Sequence, residues 1–227
     1  MFEFHLDPPR ISLPIIGGVT ISVTLLNALI ASAILIALAA IVRVFLLRRF
    51  TDEPRGVQTV VELMVDGIQR YTDSRVGAQA GASLAPYIFT LGAFVVCSGL
   101  LEFVGLRPNM SDINSTLTLS LITFALIQVY GIRKRGLWGR IRLLARPKPF
   151  LAPIMLITNL AAPVSLACRM FGNILGGFIV MELIYSVMVL KFGIPAFLSI
   201  YFSLFHTLMQ AFIFITLSLT FIDEVLE

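Results

Sequence analysis

Long, nearly uncharged apolar runs constrain this chain more than any other feature. A helix that crosses a bilayer needs about 20 mostly apolar residues. Runs of this kind predict membrane-embedded helices at residues 19–47, 84–104, 117–132, 150–190 and 196–221. Only 13% of the residues are charged, whereas soluble domains are close to a quarter charged. We therefore predict an all-α polytopic membrane protein with five membrane-embedded helices, in which residues 1–227 form a single membrane domain.

The segment at residues 51–80 differs from these runs because it mixes charged and apolar residues. Its apolar residues recur at helical spacing, while Glu62 and Asp66 share another face. This pattern predicts one amphipathic helix that lies at the membrane interface.

The last two apolar runs predict a different arrangement from the first three. About 40 apolar residues with a rise of about 1.5 Å each exceed a hydrocarbon core of about 30 Å. Residues 150–190 are therefore too long for one ordinary span, and with residues 196–221 they predict a long tilted hairpin.

The basic residues indicate the orientation of the chain. Of the 17 Lys and Arg residues, seven lie within residues 133–148 and three more are Arg48, Arg49 and Arg55. Cytoplasmic loops carry the excess of Lys and Arg, which places residues 48–80 and 133–148 inside. Five spans then put the N-terminal segment, residues 1–18, outside and the C-terminus in the cytoplasm. The net charge of +4 is thus a topology signal, and no nucleic-acid partner is predicted.

Several common functional signals are missing from the sequence. The start, MFEFHLDPPR, lacks the basic n-region of a cleavable signal peptide. Cys97 and Cys168 lie in apolar runs without metal-ligand spacing, so two free thiols and no metal site are predicted. We find no phosphate loop and no nucleophile–base pair, and predict neither a cofactor nor an enzyme activity of the chain itself.

Arg169 is the residue that calls most strongly for a function. It lies near the middle of the 150–190 run, where a charge is costly and usually serves function. Its guanidinium keeps its proton at any relevant pH. The alternatives are a structural arginine in an ion pair and an arginine that snorkels to the interface, but Arg169 lies far from both ends of its run.

The sequence around Arg169 resembles that of a known family. The stretch PVSLACRMFGNILGG at residues 163–177 resembles the signature of ATP synthase a subunits, and QAFIF at residues 210–214 resembles their last helix. Three further pieces, QTVVEL, LLEFVGLRP and SDINSTLTLSL, fall in the matching order. The resemblance covers nearly the whole chain after the first span.

The resemblance implies a mechanism and a set of partners. In this family the a subunit faces a rotating ring of c subunits, each with one carboxyl group at mid-membrane. The arginine matching Arg169 keeps arriving carboxylates ionised and separates two aqueous half-channels. The implied partners are the c-subunit ring, the b subunit of the peripheral stalk, other ATP synthase subunits and membrane lipid. The implied location is the plasma membrane of a bacterium, and nucleotide chemistry belongs to partner subunits.

Residues near Arg169 suit a close contact with a partner helix. At about 100° per residue, Arg169, Asn173 and Gly176 share one face, and Gly172 and Gly176 form a small-xxx-small pair. Small residues would let the ring approach the guanidinium. The alternative is that these glycines serve ordinary helix packing within the chain.

Two further groups of polar residues are candidates for the ion path. Ser203, His206 and Gln210 form a polar stripe on the last span, which indicates either a hydrated surface or hydrogen bonds between helices. Near the outer ends of the second and third spans lies a second group, which either lines the outer half-channel or belongs to a solvated loop. Its members are Glu102, Asp112, Asn114 and Ser115.

The chain departs from the family pattern at one point. Many relatives place an acid nine residues after the arginine, or seven before the glutamine, where this chain has Phe178 and Ser203. The nearest substitutes are Glu182 and His206. Glu182 lies about 140° around the helix from Arg169, so we predict that it lines a cavity with His206 away from the ring; the alternative is a structural carboxylate.

Two other functions are compatible with a polytopic membrane protein. Secondary transporters also bind substrates through intramembrane charges, but they typically contain internal repeats, and we find none between the halves of this chain. A membrane scaffold without transport activity leaves Arg169 and the polar residues of the last two helices unexplained.

Overall fold

The structure is a computed structural model that describes residues 10–12, 20–46, 56–104, 106, 109–144, 152–187 and 193–226. Two short strands, β1 (Arg10–Ser12) and β2 (Thr20–Ser22), pair antiparallel before the first helix. The helices are α1 (Val23–Ile41, continued by the π-helical segment Val42–Leu46), α2 (Val57–Val76), α3 (Ala78–Leu100), α4 (Ile113–Leu144), α5 (Ala152–Val187) and α6 (Ile194–Leu226). Short 3-10 helices at Leu101–Val104 and Asn109–Ser111 lie between α3 and α4.

Five of these helices are long and apolar enough to cross a membrane, counted over the described ranges. The candidate spans are Val23–Phe45, Ala78–Leu100, Ile113–Arg133, Pro163–Ile184 and Leu204–Val225. The predicted all-α polytopic class is therefore confirmed.

The second span begins earlier than its hydropathy indicates. α3 starts at Ala78, whereas the apolar run was predicted to start at residue 84. Three of the six intervening residues are alanine, which has the best helix propensity of all residues. Gly77, with φ of 80°, makes the corner at which α2 ends and α3 begins, and a positive φ is accessible to glycine at little cost.

The third span also belongs to a longer helix than predicted. α4 continues to Leu144, through the basic stretch that follows the apolar run. Lys and Arg are good helix formers, so the helix outlasts its apolar part. Gly136 interrupts the regular geometry with φ of 72° and ψ of 167°.

The chain divides into two compact units. Unit 1 comprises Met1–Pro54, Ala93–Ser115 and Phe171–Ala211, and unit 2 comprises Arg55–Gly92, Thr116–Met170 and Phe212–Glu227. Four helices, α3 to α6, each contribute residues to both units. A single membrane domain over residues 1–227 stays a prediction.

Unit 2 has an apolar core formed by residues from α3, α4 and α6. Leu84, Ile127, Ile222 and Val225 are buried in one cluster. Because lipid tails are as apolar as these side chains, close packing rather than the hydrophobic effect stabilises such contacts in a membrane.

The helix α2 occupies the segment that was predicted to be amphipathic. The Tyr71 hydroxyl lies 2.8 Å from the Thr216 hydroxyl and joins α2 to α6 within unit 2. An exposed ion pair links Arg70 and Asp66 at 2.8 Å, while Val60 and Met64 are exposed apolar residues of the same helix. Its position at the membrane surface stays a prediction.

Candidate ion-path site

Arg169 lies within the candidate span Pro163–Ile184 of α5, and its side chain is exposed. It makes neither an ion pair nor a hydrogen bond with any residue that the structure describes. The alternative of a structural arginine held in an ion pair therefore finds no support in the described parts of the chain.

The side of α5 around Arg169 is lined by small residues. Ser165, Arg169, Gly172 and Gly176 are all exposed, whereas Met170 is fully buried. Across a helix interface, small residues allow the two backbones to approach closely.

The glycines on α5 differ from those on α3 in what surrounds them. A Cβ atom built at Gly172 or Gly176 would meet no described heavy atom within 4 Å. A Cβ at Gly99 would overlap the Thr207 side chain, and one at Gly92 would lie 2.7 Å from Cδ1 of Ile215. Gly99 is therefore needed for packing between α3 and α6, whereas packing within the described chain does not explain Gly172 and Gly176.

Two of the predicted ion-path residues meet in unit 1. The Asn173 side-chain amide donates a hydrogen bond to the Gln210 carbonyl oxygen, at 2.8 Å from Nδ2 to Oε1. Gln210 is only 1% exposed, and His206, one turn earlier on α6, is half-buried. The bond fixes α5 to α6 one helical turn beyond Arg169 in the sequence.

Glu182 and His206 share neither a hydrogen bond nor an ion pair. Glu182 is exposed and His206 half-buried, and neither forms a hydrogen bond or an ion pair with a residue in the described ranges. The side chains at Phe178 and Ser203, where many relatives carry an acid, lie outside the described residues.

The outer polar group separates into residues with different surroundings. Asp112 caps α4, because its Oδ1 accepts a hydrogen bond from the backbone N–H of Asn114 at 3.0 Å. Its Oδ2 accepts a second one from the Thr24 hydroxyl at 2.8 Å. Asp112 thus joins the start of α1 to the start of α4. Glu102 is half-buried in the turn after α3, and Asn114 is exposed.

The structure also identifies buried polar residues that the sequence analysis missed. Ser98 is fully buried and Asn109 is 3% exposed. The Ser98 hydroxyl, the side-chain Oδ1 of Asn109 and Nε2 of Gln210 lack a hydrogen-bond partner among the described residues. In the sequence, a lone serine within an apolar run cannot be distinguished from a serine that only packs between helices.

These observations define a class of protein: a polytopic α-helical membrane protein with an exposed arginine on a small-residue face of one span. A sequence profile of the ATP synthase A chain family matches residues 25–223. The ATP synthase subunit a of Moorella thermoacetica is 32% identical over 209 residues, which are 91% of this chain and 92% of that protein. That of Mycobacterium bovis is 32% identical over 225 residues, or 92% of this chain and 89% of that protein.

The chain belongs to the ATP synthase A chain family. The resemblance seen around Arg169 is thereby confirmed. The relatives named above are bacterial, and the five apolar helices of this chain are those of a membrane protein.

Proposed function

We propose that this chain is the ion-translocating stator subunit of a rotary F-type ATP synthase and is itself not catalytic. In this function it forms two half-channels against the ring of c subunits. Arg169 keeps the ring carboxylates ionised and prevents a short circuit between the half-channels. The observation that carries the proposal is the exposed Arg169 side chain within an apolar span, surrounded by small residues.

The electrostatics of Arg169 support this function. An unpaired guanidinium in hydrocarbon is costly, and the charge cannot be relieved by deprotonation. A ring carboxylate is a suitable partner, because an opposite charge nearby favours its ionised form. The unobstructed faces of Gly172 and Gly176 leave room for a ring helix to approach the arginine.

The proposed outer half-channel uses Glu102 as a wall, with Asn114 and Gln210 helping to hold water. Glu102 is half-buried after α3, and Gln210 is fixed by Asn173 within unit 1. The second route uses Glu182 and His206. Since these two side chains share no hydrogen bond or ion pair, the proposed passage of an ion between them uses intervening water.

The proposed orientation and partners follow from the same function. The N-terminus lies outside and the C-terminus in the cytoplasm, as the positions of the basic residues indicate. Cysteines introduced at Arg10 and Glu227 should then be labelled from opposite sides of a bacterial plasma membrane. The partners are the c-subunit ring, the b subunit of the peripheral stalk and the remaining ATP synthase subunits.

The test is ATP synthesis driven by an ion gradient in vesicles that contain the whole complex. Arg169→Gln and Arg169→Ala should abolish synthesis while the complex remains assembled. Arg169→Lys should not restore it fully, because an ammonium loses its proton more easily when desolvated and lacks the rigid donor fork.

Arg70→Gln provides a matched control. Arg70 is an exposed arginine on α2 whose partner is Asp66, and an exposed pair of this kind contributes about 1 kcal/mol or less to stability. This variant should synthesise ATP normally. Ordinary synthesis by Arg169→Gln would refute the proposed function.

A further inference from the structure

The buried side chains of α3 change from apolar to polar along the helix. Its apolar part is formed by Leu84, Ile88, Leu91 and Val95, each less than 5% exposed. These positions continue at helical spacing to Ser98, which is fully buried, and then to the half-buried Glu102. The side of α3 that faces the protein interior is therefore apolar as far as Val95, and polar side chains enter it at Ser98 and Glu102.

The Ser98 hydroxyl differs from other buried serine hydroxyls in this chain. Ser218, which is also fully buried, donates to the carbonyl of Phe214 one turn earlier in its own helix. Ser98 makes no such bond and no other hydrogen bond within the described ranges. Buried polar groups in proteins are bonded to protein or to ordered water, so a hydroxyl at this position calls for water.

A second group that requires a partner belongs to the same part of unit 1. Gly99, the residue after Ser98, packs against the Thr207 side chain, which brings α3 and α6 together. Gln210 lies one turn along α6 from Thr207, is 1% exposed, and uses its carbonyl oxygen to accept from Asn173. Its Nε2 donors are left without a partner among the described residues.

We propose that Ser98 and Gln210 hold an internal water beside the Gly99–Thr207 contact, and that Ser98 is a positioning residue of the ion path. The water accepts a hydrogen bond from Nε2 of Gln210 and is bonded to the hydroxyl of Ser98, which can both donate and accept. This inference rests on the proposed function, since it gives the outer half-channel a further site between Glu102 and the Asn173–Gln210 pair. Arg169 lies one helical turn before Asn173 on α5.

The burial of these groups explains why one hydroxyl matters. Buried waters typically make about three hydrogen bonds, and removing one anchor leaves the Gln210 amide to hold the water alone. A serine that already donates its only hydroxyl proton to its own helix, such as Ser218, can no longer donate to a water and can only accept from one. Loss of the Ser98 hydroxyl should therefore affect ion passage more than folding.

The experiment compares Ser98→Ala, Ser98→Thr and Ser218→Ala in the complete ATP synthase in vesicles. Synthesis is measured over a range of ion concentrations on the outer side. Ser98→Ala should lower the rate about three- to tenfold, as expected for one lost hydrogen bond, and most strongly at low outer ion concentration. Ser98→Thr should restore the rate because it keeps the hydroxyl, and Ser218→Ala should resemble the unaltered protein. The amount of assembled complex should stay the same in all three.

A second measurement follows water directly. In a background in which Cys97 and Cys168 are replaced, Ser98→Cys should react with a small charged thiosulfonate added from outside, and Ser218→Cys should not. Unreactive Ser98→Cys, or Ser98→Ala that synthesises ATP at the normal rate throughout, overturns the inference.

The variant Arg169→Gln, measured in parallel, separates the two proposals. If it is inactive while Ser98→Ala is normal, only the water site is wrong. If Arg169→Gln is active, the proposed function fails irrespective of Ser98.

Discussion

In unit 2, buried hydroxyl groups use hydrogen bonds within the protein. Ser120 donates to the carbonyl of Pro163 and Ser218 to that of Phe214. In unit 1, the equally buried hydroxyl of Ser98 has no hydrogen-bond partner in the described part of the chain, and neither has Nε2 of Gln210. Both units are built from portions of the same helices, so the difference does not come from the kind of secondary structure.

Two tyrosine hydroxyls of unit 2 are also hydrogen-bonded within the protein. The Tyr87 hydroxyl lies 2.8 Å from Thr123, whose own proton is donated to the carbonyl of Leu119. Tyr87 is therefore the donor. Tyr71 donates to Thr216 for the same reason, because Thr216 donates to the carbonyl of Phe212.

The difference separates a structural role from a conducting role. Inside a membrane, each polar group must find a partner in the protein or in water that enters it. Among the described residues, unit 2 satisfies its buried polar groups internally, as expected of a part that holds helices in place. Its contribution to the proposed ion path is Arg169, which is exposed rather than buried. The remaining donors and acceptors in unit 1 favour a hydrated interior, which the proposed ion path requires.

Among the variants that test this comparison, we expect those at Glu182 and His206 of unit 1 to lower ion-driven ATP synthesis the most. If they act on one water-connected route, Glu182→Gln and His206→Ala should each remove most of the ion-driven ATP synthesis. The double variant should be hardly worse than either single one, because removing either partner breaks the same path. The corresponding coupling is about 1–3 kcal/mol.

Synthesis rates of the two single variants and the double variant measure this coupling, and the amount of assembled complex is the control. Near-normal synthesis in the double variant would assign both residues to packing. The hydrated part of unit 1 would then have to be sought nearer to Glu102 and Ser98.

The next largest effects on ATP synthesis or assembly are expected from variants of Gly176 and Gly99. They test which face of unit 1 contacts a partner subunit. A Cβ atom at Gly176 meets no described atom within 4 Å, and leucine has a better helix propensity than glycine, so Gly176→Leu should fold and insert. If the ring packs against this face, synthesis should fall several-fold. Gly99→Ala should instead lower the amount of assembled protein, because its methyl group overlaps Thr207.

The two readouts are ATP synthesis per complex and the amount of chain in the membrane. Gly177→Leu is the matched control, since a Cβ atom at Gly177 also meets no described atom within 4 Å but lies about 100° from that of Gly176 around the helix. A normal rate for Gly176→Leu would remove the ring contact from this face of α5.

Much of this arrangement can be predicted from the sequence. The remaining features cannot be predicted, for physical reasons. Span positions follow from hydropathy, and Arg169 stands out because a charge in an apolar run is rare. Asn173 and Gln210 were both predicted as ion-path residues, but their hydrogen bond joins residues on separate helices and requires the fold.

Other distinctions depend entirely on three-dimensional surroundings. Ser98 and Ser218 are both serines in apolar helices, and only their hydrogen bonds tell them apart. Gly99 and Gly176 likewise look alike in the sequence, although one packs against a side chain and the other faces open space. Asp112 was weighed as a channel or loop residue, and its bonds to Asn114 and Thr24 assign it to capping.

The smallest effect is expected in unit 2, from Tyr87→Phe. The substitution keeps the ring and removes one donor, while Thr123 remains bonded to the carbonyl of Leu119. A typical hydrogen bond contributes about 0.5–1.5 kcal/mol to stability, so thermal unfolding of the complex should shift only slightly. ATP synthesis should stay normal, in contrast to Ser98→Ala, which should slow synthesis without a loss of stability. A large loss of synthesis in Tyr87→Phe with the complex intact would place a buried conducting group in unit 2, in addition to the exposed Arg169. The assignment of hydrated and structural roles to the two units would then be wrong, because a hydroxyl already bonded within the protein would be carrying ions.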